Sequence, residues 1–195
     1  MLNDRATPLS LLRTRRSGRP RDLVAPGPNA EQLRIILEIA ARSPDHGKLA
    51  PWRFVHVPAA RREAFAALLD KAYRAGNPTP SRLEVEAVQR FARQAPCLVV
   101  ILSSPVQGHK IPVWEQQLSA GAACMNLLHA AHAMGFAGGW ITGWAAYSPM
   151  VRDAFGRPDE AVAGFMFIGT PALPLEDRPR PDPQLIASEW VPTKP

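Results

Sequence analysis

Cysteine, lysine and long apolar runs are all scarce in this chain. Two cysteines, Cys97 and Cys124, cannot build a disulfide framework, and no Cys-x-x-Cys pair offers zinc-ligand spacing. Only four of the 23 basic residues are lysines (Lys48, Lys71, Lys110 and Lys194), so the positive charge sits almost wholly on guanidinium forks, which suit phosphate. Met1–Arg16 lacks the apolar stretch of a secretory signal. The longest interval without Asp, Glu, Lys or Arg, Gln116–Val151, runs for 36 residues. Asn126, His129, His132 and the Ala137-Gly138-Gly139 break leave it no apolar run of about 20 residues, so a buried core helix is expected instead of a membrane span. A soluble, cytoplasmic protein is expected.

Familiar nucleotide and hydrolase signatures are also missing. There is no Gly-x-Ser-x-Gly elbow and no Walker loop. The glycine-rich Gly135–Gly139 follows a helical pattern and precedes a strand pattern, the reverse of a dinucleotide-binding turn. His129 and His132 lie one helical turn apart, but no third ligand or carboxylate is near in sequence, which favours core or interface histidines over a metal site.

What is present points to one globular unit. A chain of 195 residues, 46% apolar and 21% charged, has the length and composition to bury a core as a single domain spanning 1–195. Seven of its 21 prolines fall between Pro171 and Pro195, which predicts an extended C-terminal arm over 171–195 without a helix. Much of the net charge of +6 lies in residues 1–22, where Arg5, Arg13, Arg15, Arg16, Arg19 and Arg21 face only Asp4 and Asp22. An anion site near the N-terminus is the expectation.

Periodicity orders the elements. Thr7 and Pro8 open a helix that ends near Arg15-Arg16-Ser17. Asn29 and Gln32 form a capping-box pattern before Leu33, Ile36, Leu37 and Ala40, a helix ending near Arg42. Trp52–Val57 reads as a strand, residues 59–75 as a helix, and a further helix runs to about Arg93. Cys97–Leu102 is an apolar run of the kind covered on both faces. The longest helix runs from Val113 to Met134, with Gly121 allowing close packing and Gly135 as a C-cap. Gly139–Gly143 and Ala163–Ile168 read as strands, and Ser148–Phe155 as a short helix.

Three stretches combine polar chemistry with backbone freedom. Arg15-Arg16-Ser17-Gly18-Arg19 offers forks and a hydroxyl to a phosphate. Arg42-Ser43-Pro44-Asp45-His46-Gly47 is a polar loop leaving a well-formed helix. Gly138-Gly139-Trp140-Ile141-Thr142-Gly143 permits close approach to a flat ligand.

Together with Pro51-Trp52-Arg53-Phe54, Trp114-Glu115-Gln116 and Gly164–Thr170, these motifs resemble the FMN-dependent nitroreductase family, in particular its compact bacterial NAD(P)H nitroreductase subgroup. The likeness runs from about Leu9 to Pro183. It implies an α+β fold in three layers, with a mainly antiparallel sheet flanked by helices, and an intertwined homodimer with FMN at the subunit interface. By that resemblance Arg15, Arg16, Ser17 and Arg19 hold the FMN phosphate, ribityl chain and pyrimidine edge. Arg42 and His46 reach the flavin from the other subunit, and Trp140, Ile141 and Thr142 line it. Ala130, Ala131, His132, Ala133, Met134 and Gly135 are the implied nicotinamide contacts. No protein acid or base is implied as catalytic. The activity implied is hydride uptake from NADH or NADPH onto FMN, then ping-pong reduction of a nitroaromatic, quinone or similar small acceptor. Where relatives can carry an arginine after the tryptophan, this chain has Ile141.

Two other classes are weighed against this. One is a flavin carrier or sensor without turnover. The other is a nucleic-acid-binding protein, suggested by an isoelectric point near 10. The basic run lacks interleaved aromatics and any helix-turn-helix pattern, so no nucleic-acid partner is expected.

Overall fold

The structure, a computed structural model, describes residues 1–192, so the last three residues of the expected C-terminal arm lie outside it. Capping chemistry sets three of its helices. Helix α1 (Pro8–Thr14) starts where the Thr7 side chain accepts the Ser10 N–H and the Ser10 hydroxyl accepts the Thr7 N–H. The same reciprocal pair, Asn29 with Gln32, opens α2 (Ala30–Ala40). Ser81 with Glu84 opens α4 (Arg82–Arg93), which packs against α3 (Arg62–Gly76).

Five strands form one wholly antiparallel sheet: β1 (Leu23–Val24), β2 (Trp52–His56), β3 (Cys97–Ser103), β4 (Ala137–Ile141) and β5 (Ala161–Pro171). The order is β1-β5-β3-β2, with β4 also paired to β5. Every residue of β3 is buried, and its period of two feeds two cores. Leu98, Val100 and Leu102 join Phe165 and Phe167 of β5 beneath α3 and α4, together with α6 (Trp144–Tyr147) and α7 (Pro149–Phe155). Cys97, Val99 and Ile101 join Met166 and Ile168 beneath α2 and the long helix α5 (Val113–Ala133). Helices cover both faces of the sheet, which gives the three-layer α+β architecture expected. Full burial of each of these aliphatic or aromatic side chains contributes roughly 1.5–3 kcal/mol.

Several boundaries differ from the sequence reading. Strand β4 begins at Ala137, because Ala137–Ile141 pairs with Phe165–Gly169, and Thr142 and Gly143 fall beyond it. Strand β5 runs five residues longer than the apolar run Ala163–Ile168, since its ends pair with Ser103 and Leu23. Helices α1 and α2 both stop short of the arginines expected to end them. The one-turn helix α6 and strand β1 were not foreseen. The arm beyond β5 carries a one-turn helix, α8 (Pro183–Ile186), capped by Asp182, where only extended chain was expected. Helix α5 is not apolar and buried all round: Trp114 is 67% and Leu118 54% exposed on its outer side.

Two buried charges pin the layers together. Arg62 donates to the carbonyls of Val57, Ala92 and Gln94 at 2.9, 2.8 and 3.1 Å, joining the end of β2 to the end of α4. Arg53 of β2 binds the buried Glu160 carboxylate through two bonds of 2.6 and 2.8 Å, which holds that acid down to about 2. Cys97 and Cys124 are free and buried, and burial pushes their thiols up to about 11 and 12. Among the described residues no helix is long and apolar enough to cross a membrane.

Candidate functional site

Helix α1 ends because Arg15 leaves helical geometry at φ −55°, ψ 126°. The segment Arg15–Arg19 then runs beside β4, where the Gly18 N–H donates to the Gly138 carbonyl at 3.0 Å. This approach requires glycine: a Cβ on Gly139 would stand 2.7 Å from the Gly18 carbonyl oxygen. The Arg15 guanidinium donates to the Ser17 hydroxyl at 3.1 Å.

The C-terminal arm folds back onto this segment. Arg16 Nε donates to the Glu176 carbonyl, Arg19 pairs with the Glu176 carboxylate at 2.9 Å, and Arg180 donates to the Arg15 carbonyl at 3.2 Å. Burial, followed by the charges of Arg180, Arg16 and Arg178, lowers the pKa of Arg15 below the ordinary arginine value. Guanidinium groups from two distant parts of the chain therefore crowd one place. Glu176 and Asp177, the latter bonded to Arg180 at 3.0 Å, bring carboxylates into the cluster, and Asp22 lines its edge. An adjoining cavity of about 350 Å³ is lined by Arg16, Ser17, Arg19 and Glu176 among others. Guanidinium forks of this kind suit a multiply charged anion. Sequence reasoning missed Arg178 and Arg180; their spacing around Pro179 in the arm was the only local signal.

Trp140 and Ile141 follow along β4, and Thr142 lies just past its end. Trp140 pairs with Met166 and so faces the α5 side, where its indole N–H donates to the Ala163 carbonyl at 2.9 Å. The ring lies across Gly164, where any Cβ would collide with it. Ile141 faces the opposite core, and Thr142 is exposed.

His46 stands elsewhere. Past α2, the Ser43 hydroxyl accepts a bond from Asn126 of α5 at 2.9 Å, while Arg42 itself is exposed. In the following loop the Asp45 carboxylate accepts the Ala50 N–H at 2.6 Å, and Gly47 takes φ 82°. His46 is bonded to Glu115, at the start of α5, at 2.8 Å. Arg15 acts on His129 and His132 near the other end of that helix. The fourteen helical steps from Glu115 to His129 correspond to about 21 Å. One chain thus carries two separate groups of expected site residues, Arg15–Arg19 with Trp140 in one and His46 in the other.

Of the expected nicotinamide segment, Ala130, Ala131 and His132 are buried, Met134 is half-buried, and Ala133 and Gly135 are exposed. Both ring nitrogens of His132 lack a hydrogen-bond partner, and burial, then Arg15 and His129, push its pKa down to about 4. Its folded pKa lies below the unfolded value near 6.5, so its contribution is complete above pH 6.5 and is lost as pH falls toward 4. Wild type should lose about 3 kcal/mol more than His132→Phe between pH 7 and pH 4. Urea unfolding at both pH values checks this; equal losses would sink it.

The chain belongs to the nitroreductase family, whose family model matches residues 12–170. It is similar to the Escherichia coli K12 protein named "Putative NAD(P)H nitroreductase YdjA", with 38% identity over 85% of this chain and 88% of that one. In fold it is similar to a nitroreductase-like family protein from Bacillus cereus, at TM-score 0.78 and 17% identity, covering 95% of this chain and 96% of that one. An NADPH:FMN oxidoreductase from Vibrio harveyi, solved in complex with NAD+, gives TM-score 0.73 and 20% identity over 96% and 78% of the two chains.

Proposed function

We propose that this chain is a flavin-dependent oxidoreductase that holds FMN on its arginine cluster and passes reducing equivalents from NADH or NADPH to a small electron-poor acceptor. The observation that carries this is the crowding of Arg15 by Arg16, Arg178 and Arg180 beside the Ser17 hydroxyl, a donor set matched to a phosphate monoester. Bound FMN would supply the hydride chemistry, and the protein's share is binding, orientation and local charge. Arg19, next along the same segment, offers positive charge to the pyrimidine edge of the ring. Trp140 and Thr142 supply a flat wall and an exposed hydroxyl beside it. Ile141 contributes no charge there. Of the segment Ala130–Gly135, only Ala133, Met134 and Gly135 reach the surface, so a dinucleotide contact is confined to them.

We further propose a homodimer. Trp114 and Leu118 are exposed on the outer side of α5, and the Cβ position of Gly121 on the same helix has no neighbour within 4 Å, so another backbone can approach closely there. The separation of His46 from Arg15 supports the same reading, since Arg42 and His46 of the partner subunit would complete a site that one chain leaves divided. The acceptor follows the dinucleotide in a ping-pong order at a shared face. Anaerobic addition of NADH or NADPH should bleach the FMN absorbance of the loaded protein, and a quinone should restore it. Bound flavin that neither dinucleotide bleaches would point instead to a carrier or sensor.

A further inference from the structure

Strand β4 ends at Ile141, and Gly143, at φ 72°, turns the chain into α6 on the sheet face opposite Trp140. There Trp144 meets Tyr73 of α3 with ring centroids 5.1 Å apart and planes inclined by 60°. The Tyr73 hydroxyl donates to Glu84 at 3.0 Å, which fixes that ring. With Tyr147 and Met150 these rings wall a groove of about 910 Å³ between α3 and α6–α7, a size ordinary for small-molecule sites. Trp144 is 39% and Tyr147 79% exposed, so two large aromatic faces are left to water on one short helix. Asn77 and Asp153 add polarity at the rim. Among the described residues, Asp153 is the only charged one lining the groove; Arg152, its neighbour, holds one carboxylate oxygen at 2.7 Å from outside the lining.

We propose that this groove binds flat aromatic molecules that are uncharged or cationic. Three aromatic side chains offer stacking faces, and the one lining charge is negative, so ring stacking is favoured and an anionic substituent is not. A smaller cavity of about 260 Å³, lined by Ile141, Thr142 and Phe91 among others, shares Trp144 with the groove.

Equilibrium dialysis with 1-nitronaphthalene, and with 4-nitronaphthalene-1-sulfonate as its anionic counterpart, tests the site without reference to flavin. The neutral probe should bind, and the sulfonate about tenfold more weakly. Trp144→Ala and Tyr147→Ala should each weaken the neutral probe by about tenfold, as loss of one ring contact implies, and Trp144→Phe should stay within about threefold of wild type. Tyr147 is mostly in solvent, so its replacement leaves the core intact. Equal affinities in wild type and both alanine variants would overturn the site. So would weakened self-association of Tyr147→Ala with unchanged probe binding, which would make the groove a contact between copies.

Discussion

Replacing Arg16 and Arg180 together with alanine weakens FMN binding by about 100-fold or more. Each guanidinium brings a charge-assisted hydrogen bond to a phosphate, worth roughly 1.5–3 kcal/mol, and two of them at the lower value already exceed the 2.8 kcal/mol of a 100-fold change. The effect stays local. Arg16 contacts the Glu176 carbonyl and Arg180 contacts the Arg15 carbonyl and Asp177, all in the arm or beside it, and neither side chain supports the core. Fluorescence titration of apoprotein at fixed ionic strength checks the value. Riboflavin, which lacks the phosphate, is the internal control and should bind wild type and variant alike. Loss of riboflavin affinity in step with FMN would assign the arginines to the fold or the ring instead.

Arg62→Met lowers stability by about 3–5 kcal/mol. Methionine fills similar space but removes the donors that satisfy the Val57, Ala92 and Gln94 carbonyls, and a buried acceptor left unpaired costs about 1–3 kcal/mol. The gain from no longer burying a charge offsets part of this. At this chain length, 1 kcal/mol corresponds to roughly 2–4 °C in melting temperature, so a fall of about 10 °C is expected. Arg93→Ala is the contrast. Arg93 binds a carboxylate, Glu63, at 2.6 Å, yet the two side chains are 42% and 73% exposed and the pair is worth at most about 1 kcal/mol. Thermal unfolding of the two variants side by side separates a structural arginine from a superficial one; similar melting temperatures would refute the assignment.

The three-layer order was legible because its main signals are local. Asn29 with Gln32 announces a helix start within four residues, and Cys97–Leu102 carries its two-faced burial in its own composition. The arginine segment was legible for the same reason. What was not legible depends on partners far along the chain. Glu160 reads as an ordinary surface acid until Arg53 is brought against it from more than a hundred residues away. Arg178 and Arg180 look like charges in a proline-rich tail until the arm lies over Arg15. The extent of β4 is set by pairing with Phe165–Gly169, and the resting place of Trp140 by the missing side chain of Gly164. Local apolarity also could not separate the inner side of α5, carrying Leu127 and Ala131, from its outer side with Trp114 and Leu118.

The central claim is that the arginine cluster is a flavin phosphate site. Its most direct test is the absorbance spectrum of the purified protein after saturation with FMN and removal of free ligand, with the chromophore released by heat and identified by mass. A flavin spectrum and release of FMN at one molecule per chain are expected. A colourless protein that retains no FMN, although folded, would contradict the claim.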